Sequence, residues 1–331
     1  MCRAVLLFAS LILLTGCGRG VPAPRPSVAA IRLPPASASV RILVEPRDGP
    51  DEMLREIRHA QRRIFVCTYI LTHRSVVHAL QRAATEGVDV YVLLEHFPYG
   101  MGRQPEAMRN VLQAAGVNVR WASGRFTFTH AKYLVIDDRL ALLSTANLSR
   151  SGFESNRDFV VVDRAPKDVR EVSNLFRRDW DFRPERGIQR FVISPENARG
   201  VLDTLLAGAH HSVDIYAEEV DDPATERLLV ALQRRGLRVR VLVPAGERSR
   251  GILYLTRGRV SVRVLSHPYI HAKAIVVDRA RAFVGSENLS TASLDRNREL
   301  GILIKGGPLT ALLRTFEHDW KRGSSAGSGG R

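Results

Sequence analysis

The feature that most constrains this chain is a short pattern that occurs twice. The first copy is His130-Ala131-Lys132-Tyr133-Leu134-Val135-Ile136-Asp137, and the second is His271-Ala272-Lys273-Ala274-Ile275-Val276-Val277-Asp278. Both read His-x-Lys, four residues, then Asp. Six residues separate each Asp from a small polar turn, Ser144-Thr145-Ala146-Asn147 in one copy and Gly285-Ser286-Glu287-Asn288 in the other. An acidic residue follows at matching distance in Asn156-Arg157-Asp158 and Asn297-Arg298-Glu299. The period, about 140 residues, far exceeds that of solenoid repeats and marks a duplicated domain.

The remainder of the halves agrees. Residues 87–94, Gly-Val-Asp-Val-Tyr-Val-Leu-Leu, match residues 236–243, Gly-Leu-Arg-Val-Arg-Val-Leu-Val. Phe176-Arg177-Arg178-Asp179-Trp180 returns as Phe316-Glu317-His318-Asp319-Trp320. Within each half an apolar strand (Ile64–Tyr69; Val213–Tyr216) precedes a helix. The first such helix has Val76, Val77, Leu80 and Ala84 at helical spacing and Gly87 to end it; the second runs Thr225–Arg235 and is closed by Gly236. This alternation predicts a layered α/β fold with helices on both faces of a sheet. In each motif, His and Lys are two apart and therefore share one face of an extended strand. The apolar runs Tyr133–Ile136 and Ala274–Val277 predict strands, each returning after a tight turn through residues 141–143 or 282–284. Asn147 and Asn288 then fall just past a strand end, where a loop can approach a ligand.

Only 5 of the 49 basic residues are Lys, and two of those five occupy equivalent motif positions. On these residues the chain resembles the phospholipase D superfamily over roughly residues 41–322. The resemblance implies a duplicated phospholipase D-like domain of class α/β. Its two α/β/α sandwich halves, 41–186 and 187–322, would be related by a pseudo-two-fold axis, with one shared active-site cleft. The doubled motif is specific for the superfamily but not for substrate, which there includes phospholipids and nucleic acids.

Phosphodiesters resist attack because the anion repels nucleophiles and the alkoxide leaves poorly. Chemistry without a metal needs cations on the phosphoryl oxygens, a strong nucleophile and a proton donor. Lys132 and Lys273 supply charge; Asn147, Asn288 and the hydroxyls of Thr145 and Ser286 are expected to add hydrogen bonds to the phosphate. Two imidazoles suit the remaining roles, being neutral or protonated near neutral pH. The resemblance implies that one His forms a covalent phosphohistidine while the other protonates the leaving alcohol; we assign His130 as nucleophile and His271 as acid/base. Asp158 and Glu299 are the candidates for orienting the imidazoles. Asp137 and Asp278 are expected to fix local backbone rather than touch substrate. In the first half Ser144 stands where Gly is usual, which would strain a turn needing positive φ. Asp158 is one methylene shorter than Glu299. No Cys/His cluster or acidic pair has metal-ligand spacing, and no Gly-rich phosphate loop opens a helix, so neither metal nor cofactor is expected.

Ala4–Leu14 is an apolar run too short to span a bilayer, ending in Leu14-Thr15-Gly16-Cys17. That order resembles a bacterial lipoprotein signal, so residues 1–17 are expected to end at a lipidated Cys17 and to place the protein in the cell envelope, anchored to a membrane. Residues 18–40, rich in Pro, Ala and Ser, predict a tether, about 70 Å long if extended; residues 323–331 predict a disordered Gly/Ser tail. Of the three Cys, only Cys67 lies in the fold, within an apolar run, and is expected to be a small buried hydrophobe. The net charge of +15 favours anionic partners, a phospholipid membrane surface or nucleic acid. The first reading is a metal-independent phospholipase D-type phosphodiesterase hydrolysing glycerophospholipid headgroups. The alternatives are a cardiolipin synthase-type phosphatidyl transferase, a metal-independent endonuclease and a non-catalytic binding module.

Overall fold

The computed structural model describes residues 39–183 and 190–326. The signal, Cys17 and nearly all of the tether lie outside the described residues, as do residues 327–331. In chain order the first half is β1 (Val40–Glu45), α1 (Asp51–Arg58), β2 (Arg63–Thr68), α2 (Arg74–Thr85), β3 (Asp89–Leu94) and α3 (Gln104–Gln113). It continues with β4 (Asn118–Trp121), β5 (Tyr133–Ile136), β6 (Leu140–Ser144), α4 (Arg150–Glu154), β7 (Asn156–Asp163) and α5 (Pro166–Trp180). The second half opens with β8 (Phe191–Ser194), α6 (Ala198–Ala207), β9 (Ser212–Tyr216), β10 (Val220–Asp221), α7 (Pro223–Arg234), β11 (Arg238–Pro244) and α8 (Arg250–Arg257). Then come β12 (Ser261–Leu265), β13 (Tyr269–Ile270), β14 (Lys273–Val277), β15 (Arg281–Gly285), β16 (Leu289–Ser290), α9 (Thr291–Asp295), β17 (Glu299–Lys305), α10 (Leu309–Arg322) and β18 (Ser324–Ser325).

The duplication is visible in the sheets. One runs β1-β7-β6-β5-β2-β3-β4 and the other β8-β17-β15-β14-β9-β11-β12, the same order strand for strand. Each motif strand sits near the middle of its sheet. β5 faces β2 with Tyr133 opposite Cys67, and β14 faces β9 with Ala274 opposite Tyr216. Both strands are buried throughout, which is why they read as unbroken apolar runs rather than alternating ones. The helices α2 and α7 end where the sequence places Gly87 and Gly236, at φ 91° and 90°, a left-handed conformation that favours glycine.

Separate clusters fill the outer side of each sheet, while a third is shared between the halves. The shared core takes Phe65, Cys67 and Tyr133 from one sheet, Tyr216, Ala274 and Val276 from the other, and Phe176 and Phe316 from α5 and α10. Burying either Phe contributes up to about 3 kcal/mol. Cys67 is fully buried and burial drives its thiol pKa up, as expected of an inert apolar residue.

Ion pairs and backbone bonds stitch the halves. Arg157 pairs with Asp319 at 2.6 Å, and its pseudo-symmetric mate Arg298 pairs with Asp179 at 2.5 Å, all four buried. The amides of His130 and Ala131 donate to the Arg298 carbonyl; those of His271 and Ala272 donate to the Arg157 carbonyl. Each motif is therefore docked on the other half.

Two boundaries move. Val40, assigned to the tether, is the first residue of β1 and lies opposite Asp163. Ser324 and Ser325, assigned to the disordered tail, pair antiparallel with Val264 and Arg263 on the edge of the second sheet.

Candidate active site

A cleft of about 610 Å³ opens where the two motifs meet, lined by His130, Asn147, His271 and Asn288 among others. The imidazoles are held crosswise. Nδ1 of His130 lies 2.9 Å from Glu299 of the second half, and Nδ1 of His271 lies 2.9 Å from Asp158 of the first. Each carboxylate accepts the Nδ1 proton and leaves Nε2 as the free ring nitrogen. Both carboxylates are fully buried. Glu299 also accepts from Ser293 Oγ at 2.7 Å and Asn297 Nδ2 at 3.0 Å, and Asp158 accepts from Thr145 Oγ1 at 2.5 Å. Such secondary donors fix the carboxylate that fixes the ring.

Lys132 and Lys273 are almost wholly buried, and each ammonium donates to the carbonyl of the His two residues before it. Their further surroundings differ. By the strand registers, Tyr69 in the first half corresponds to Glu218 in the second. Tyr69 packs edge-on against the His130 ring at 4.7 Å and lies 5.3 Å from the Lys132 ammonium. Glu218 instead pairs with Lys273 at 2.5 Å and stands 3.6 Å from His271 Nε2. Burial pushes Lys132 down to about 7 and pushes His130 below the usual imidazole range. Burial alone would raise Glu218, but His271 and Lys273 outweigh it and hold its carboxyl far below the usual range.

Asn147 and Asn288 line the cleft, and their carbonyl oxygens have no partner among the described residues. The hydroxyls expected on a phosphate are placed elsewhere. Thr145 donates to Asp158 and accepts from Phe159 N; Ser286 accepts from Leu300 N at 3.0 Å; both residues are fully buried behind the cleft. Asp137 accepts from the amides of Gln61, Arg62 and Arg63, and Asp278 from those of His210, His211 and Ser212. Both lie outside the cleft, tying each motif hairpin to the neighbouring strand.

The family described as Cardiolipin synthase, PLD-like domain, matches residues 53–180 and 202–320. The chain belongs to that family, and with it to the phospholipase D superfamily. It is 30% identical over 311 residues to cardiolipin synthase B of Salmonella typhi, covering 78% of this chain and 74% of the relative. It is 29% identical over 321 residues to cardiolipin synthase B of Shigella flexneri, covering 79% and 75%. Phosphatidylserine synthase of Haemophilus influenzae shares the fold, with a TM-score of 0.71 at 15% identity over 87% of each chain. Among the described residues no helix is long and apolar enough to cross a membrane.

Ser144, which replaces the family's usual Gly, is not strained: its φ lies outside the left-handed region. The reason for glycine at the matching Gly285 is space. A Cβ there would come within 2.3 Å of a Glu287 carboxylate oxygen and 2.5 Å of the Gly301 Cα. Glu287 has no counterpart in the first half, where Ala146 takes its place. Burial, then the nearby Glu299, pushes its carboxyl well up, against the lowering effect of the Glu287 and Ser286 backbone amides.

Sequence reasoning missed Tyr69, Glu218, Glu287 and Asn297. Aligning Cys67-Thr68-Tyr69 with Tyr216-Ala217-Glu218 as a repeat would have singled out the first two. Phe97 and Tyr99 are largely exposed, and Tyr99 and Phe128 line the cleft; Phe126 instead stacks under Arg125 and Arg298.

Proposed function

We propose that this protein transfers phosphatidyl groups between alcohols, as a cardiolipin synthase-type transferase, through a phosphohistidine on His130. The observation that carries the reading is the pair of carboxylate-oriented imidazoles beside two buried lysines in one cleft. Hydrolysis, the first expectation from the sequence, becomes the second reading. The relatives it matches are cardiolipin synthases by name, and the match covers about three-quarters of their length.

The asymmetry of the half-sites supports the assignment of roles. His130 sits against an aromatic ring and in a buried site that favours the neutral, nucleophilic imidazole. His271 has carboxylates beside both ring nitrogens, Asp158 at 2.9 Å from Nδ1 and Glu218 at 3.6 Å from Nε2, a setting that distinguishes it from His130. In the first step Nε2 of His130 bonds to phosphorus, the bond to the leaving alcohol breaks, and the His271 Nε2 proton passes to the departing oxygen. In the second, His271 takes the proton of an acceptor hydroxyl, whose oxygen displaces His130. Dividing one difficult displacement into two easier ones is the gain of covalent catalysis. Lys132, Lys273, Asn147 and Asn288 hold the phosphoryl oxygens; a bound phosphodiester anion favours the charged form of Lys132.

The endonuclease reading is weakened by the cleft itself. Although the chain carries a net +15, Glu218, Glu219 and Glu247 line the cleft, a wall that repels a polyanionic strand. Lipidation at Cys17 would hold the enzyme at an envelope membrane that supplies its substrate.

The test is full-length protein in EDTA with phosphatidylglycerol vesicles and, in parallel, plasmid DNA, with His271→Ala beside it. Cardiolipin and free glycerol, absent with the variant, are the expected products. Phosphatidic acid alone would restore hydrolysis, and cut DNA with unchanged lipid would overturn the lipid reading.

A further inference from the structure

Asp158 is less fully held than its counterpart Glu299. Both of its side-chain hydrogen bonds fall on one oxygen: Oδ1 accepts from His271 Nδ1 at 2.9 Å and from Thr145 Oγ1 at 2.5 Å. The other oxygen, Oδ2, is buried and has no donor among the described residues. In the second half Glu299 draws further donors from Ser293 and Asn297. The position matching Ser293 is Gly152, which has no side chain to give. A buried carboxylate oxygen without a donor is costly, and it leaves the group less firmly fixed.

What the first half has instead lies across the strand. Glu45, the last residue of β1, stands opposite Asp158 on β7 and is fully buried. Residues paired in this way carry their side chains on the same face of the sheet, about 5 Å apart at Cβ. At the matching position of the second half, Ser194 of β8 stands opposite Glu299 on β17. The Glu45 carboxyl is tied on one side: Oε2 accepts from the Gly49 amide at 2.7 Å, and Oε1 is buried with no partner among the described residues. Two facing carboxyl groups thus each have one oxygen unmet. Two carboxylates cannot satisfy each other; a protonated carboxyl and a carboxylate can.

The surroundings of Glu45 select the protonated form. Burial pushes its carboxyl up to about 8, and Asp48 and Asp158 push the same way, against the Gly49 amide and the Arg157 guanidinium. Arg157 is engaged with Asp319 of α10 and with the backbone carbonyl of Glu45. On α4, which also packs beside β1, Arg150 and Glu154 pair with each other at the surface.

We infer that Glu45 is a positioning residue of the acid/base half-site: from the neighbouring strand it steadies Asp158, and through Asp158 the ring of His271. The inference rests on the acid/base role proposed for His271 and adds a residue behind it. At neutral pH Glu45 donates its proton in a hydrogen bond to Asp158 Oδ2, leaving Oδ1 to the imidazole, and keeps that proton through both chemical steps. As pH rises through about 8 the proton is lost. The donor then disappears and a second negative charge stands beside Asp158, so the acceptor step should weaken.

The test is full-length protein with a nitrophenyl phosphodiester, read as burst and steady state across neutral and alkaline pH. Glu45→Leu removes the donor. Its burst, which belongs to His130, should be complete. Its kcat should fall by roughly tenfold, while kcat/KM, which reports formation of the intermediate, stays unchanged. Glu45→Gln restores a donor of the same shape that cannot ionise. It should recover kcat at neutral pH and hold it above about pH 8, where the wild type declines. A kcat unmoved by Glu45→Leu, a parallel loss of kcat and kcat/KM, or the wild-type alkaline decline persisting in Glu45→Gln overturns the inference. His271→Ala run beside them separates the two levels. If it slows the steady state and the Glu45 changes do not, the inference alone falls; if it leaves turnover unchanged, the role proposed for His271 falls as well.

Discussion

Neutralising each orienting carboxylate should disable a different chemical step, and the step is dictated by the crosswise pairing. Glu299→Gln keeps the shape but replaces a buried carboxylate, 2.9 Å from His130 Nδ1, with a neutral amide. A hydrogen bond to a buried charge is worth about 1.5–3 kcal/mol, and the cation that forms on a phosphorylated imidazole loses its counter-charge as well. A combined loss of about 3–5 kcal/mol corresponds to roughly 10²- to 10⁴-fold in the rate of forming the intermediate. Asp158→Asn removes the matching partner of His271. The assay is a nitrophenyl phosphodiester, whose leaving group needs no proton, mixed rapidly with a high concentration of enzyme. Asp158→Asn should release a rapid burst of one nitrophenol per protein and then stall, because His271 no longer activates the acceptor; the stalled protein should carry the remaining phosphoryl ester on His130. Glu299→Gln should show no burst. The opposite pattern would exchange the roles of the two imidazoles. A loss below about threefold in both variants would refute the claim that the carboxylates act through the rings.

Lys132 is pushed down to about 7, and a phosphate analogue binds its protonated form. Vanadate affinity should therefore hold below pH 7 and fall by up to about tenfold per pH unit above it, a slope that Lys132→Met should abolish. Removing Arg157 or Arg298 takes the counter-charge from a buried Asp319 or Asp179; Arg157→Met should cost about 3–5 kcal/mol in denaturant unfolding, and a cost under about 1 kcal/mol would mean the clamps are dispensable. Gly285→Ser must displace Glu287 and the Gly301 backbone and should destabilise by about 3 kcal/mol or more. The mirror change Ser144→Gly removes a hydroxyl that accepts from Ala146 N and should cost about 1 kcal/mol; similar losses at the two sites would contradict the space argument.

The strands, the helix ends and both motif hairpins were legible because each follows from local pattern: apolar runs for covered strands, helical spacing, glycine after a helix. The duplication then doubled every signal. What escaped was decided between halves. No local pattern says that Glu299 serves His130 rather than His271, since the two lie 169 residues apart and meet only across the interface. Thr145 and Ser286 misled for a related reason. A hydroxyl close to a cleft-lining Asn looks free in sequence, but a fully buried carboxylate or strand amide claims it first. Glu218 was hidden because it falls past the end of its strand, outside the motif that drew the comparison.

The exchange of Tyr69 for Glu218 bears on why the two halves share one chain. A symmetric pair of first halves would set an aromatic ring beside both imidazoles, and a symmetric pair of second halves would set a carboxylate beside both; in either case the two rings would have the same surroundings. Joined in one polypeptide, the copies are free to diverge at this one position, and each histidine acquires surroundings of its own. Having diverged, they are no longer interchangeable: swapping Tyr69 with Glu218 should carry nucleophile and acid across the axis together.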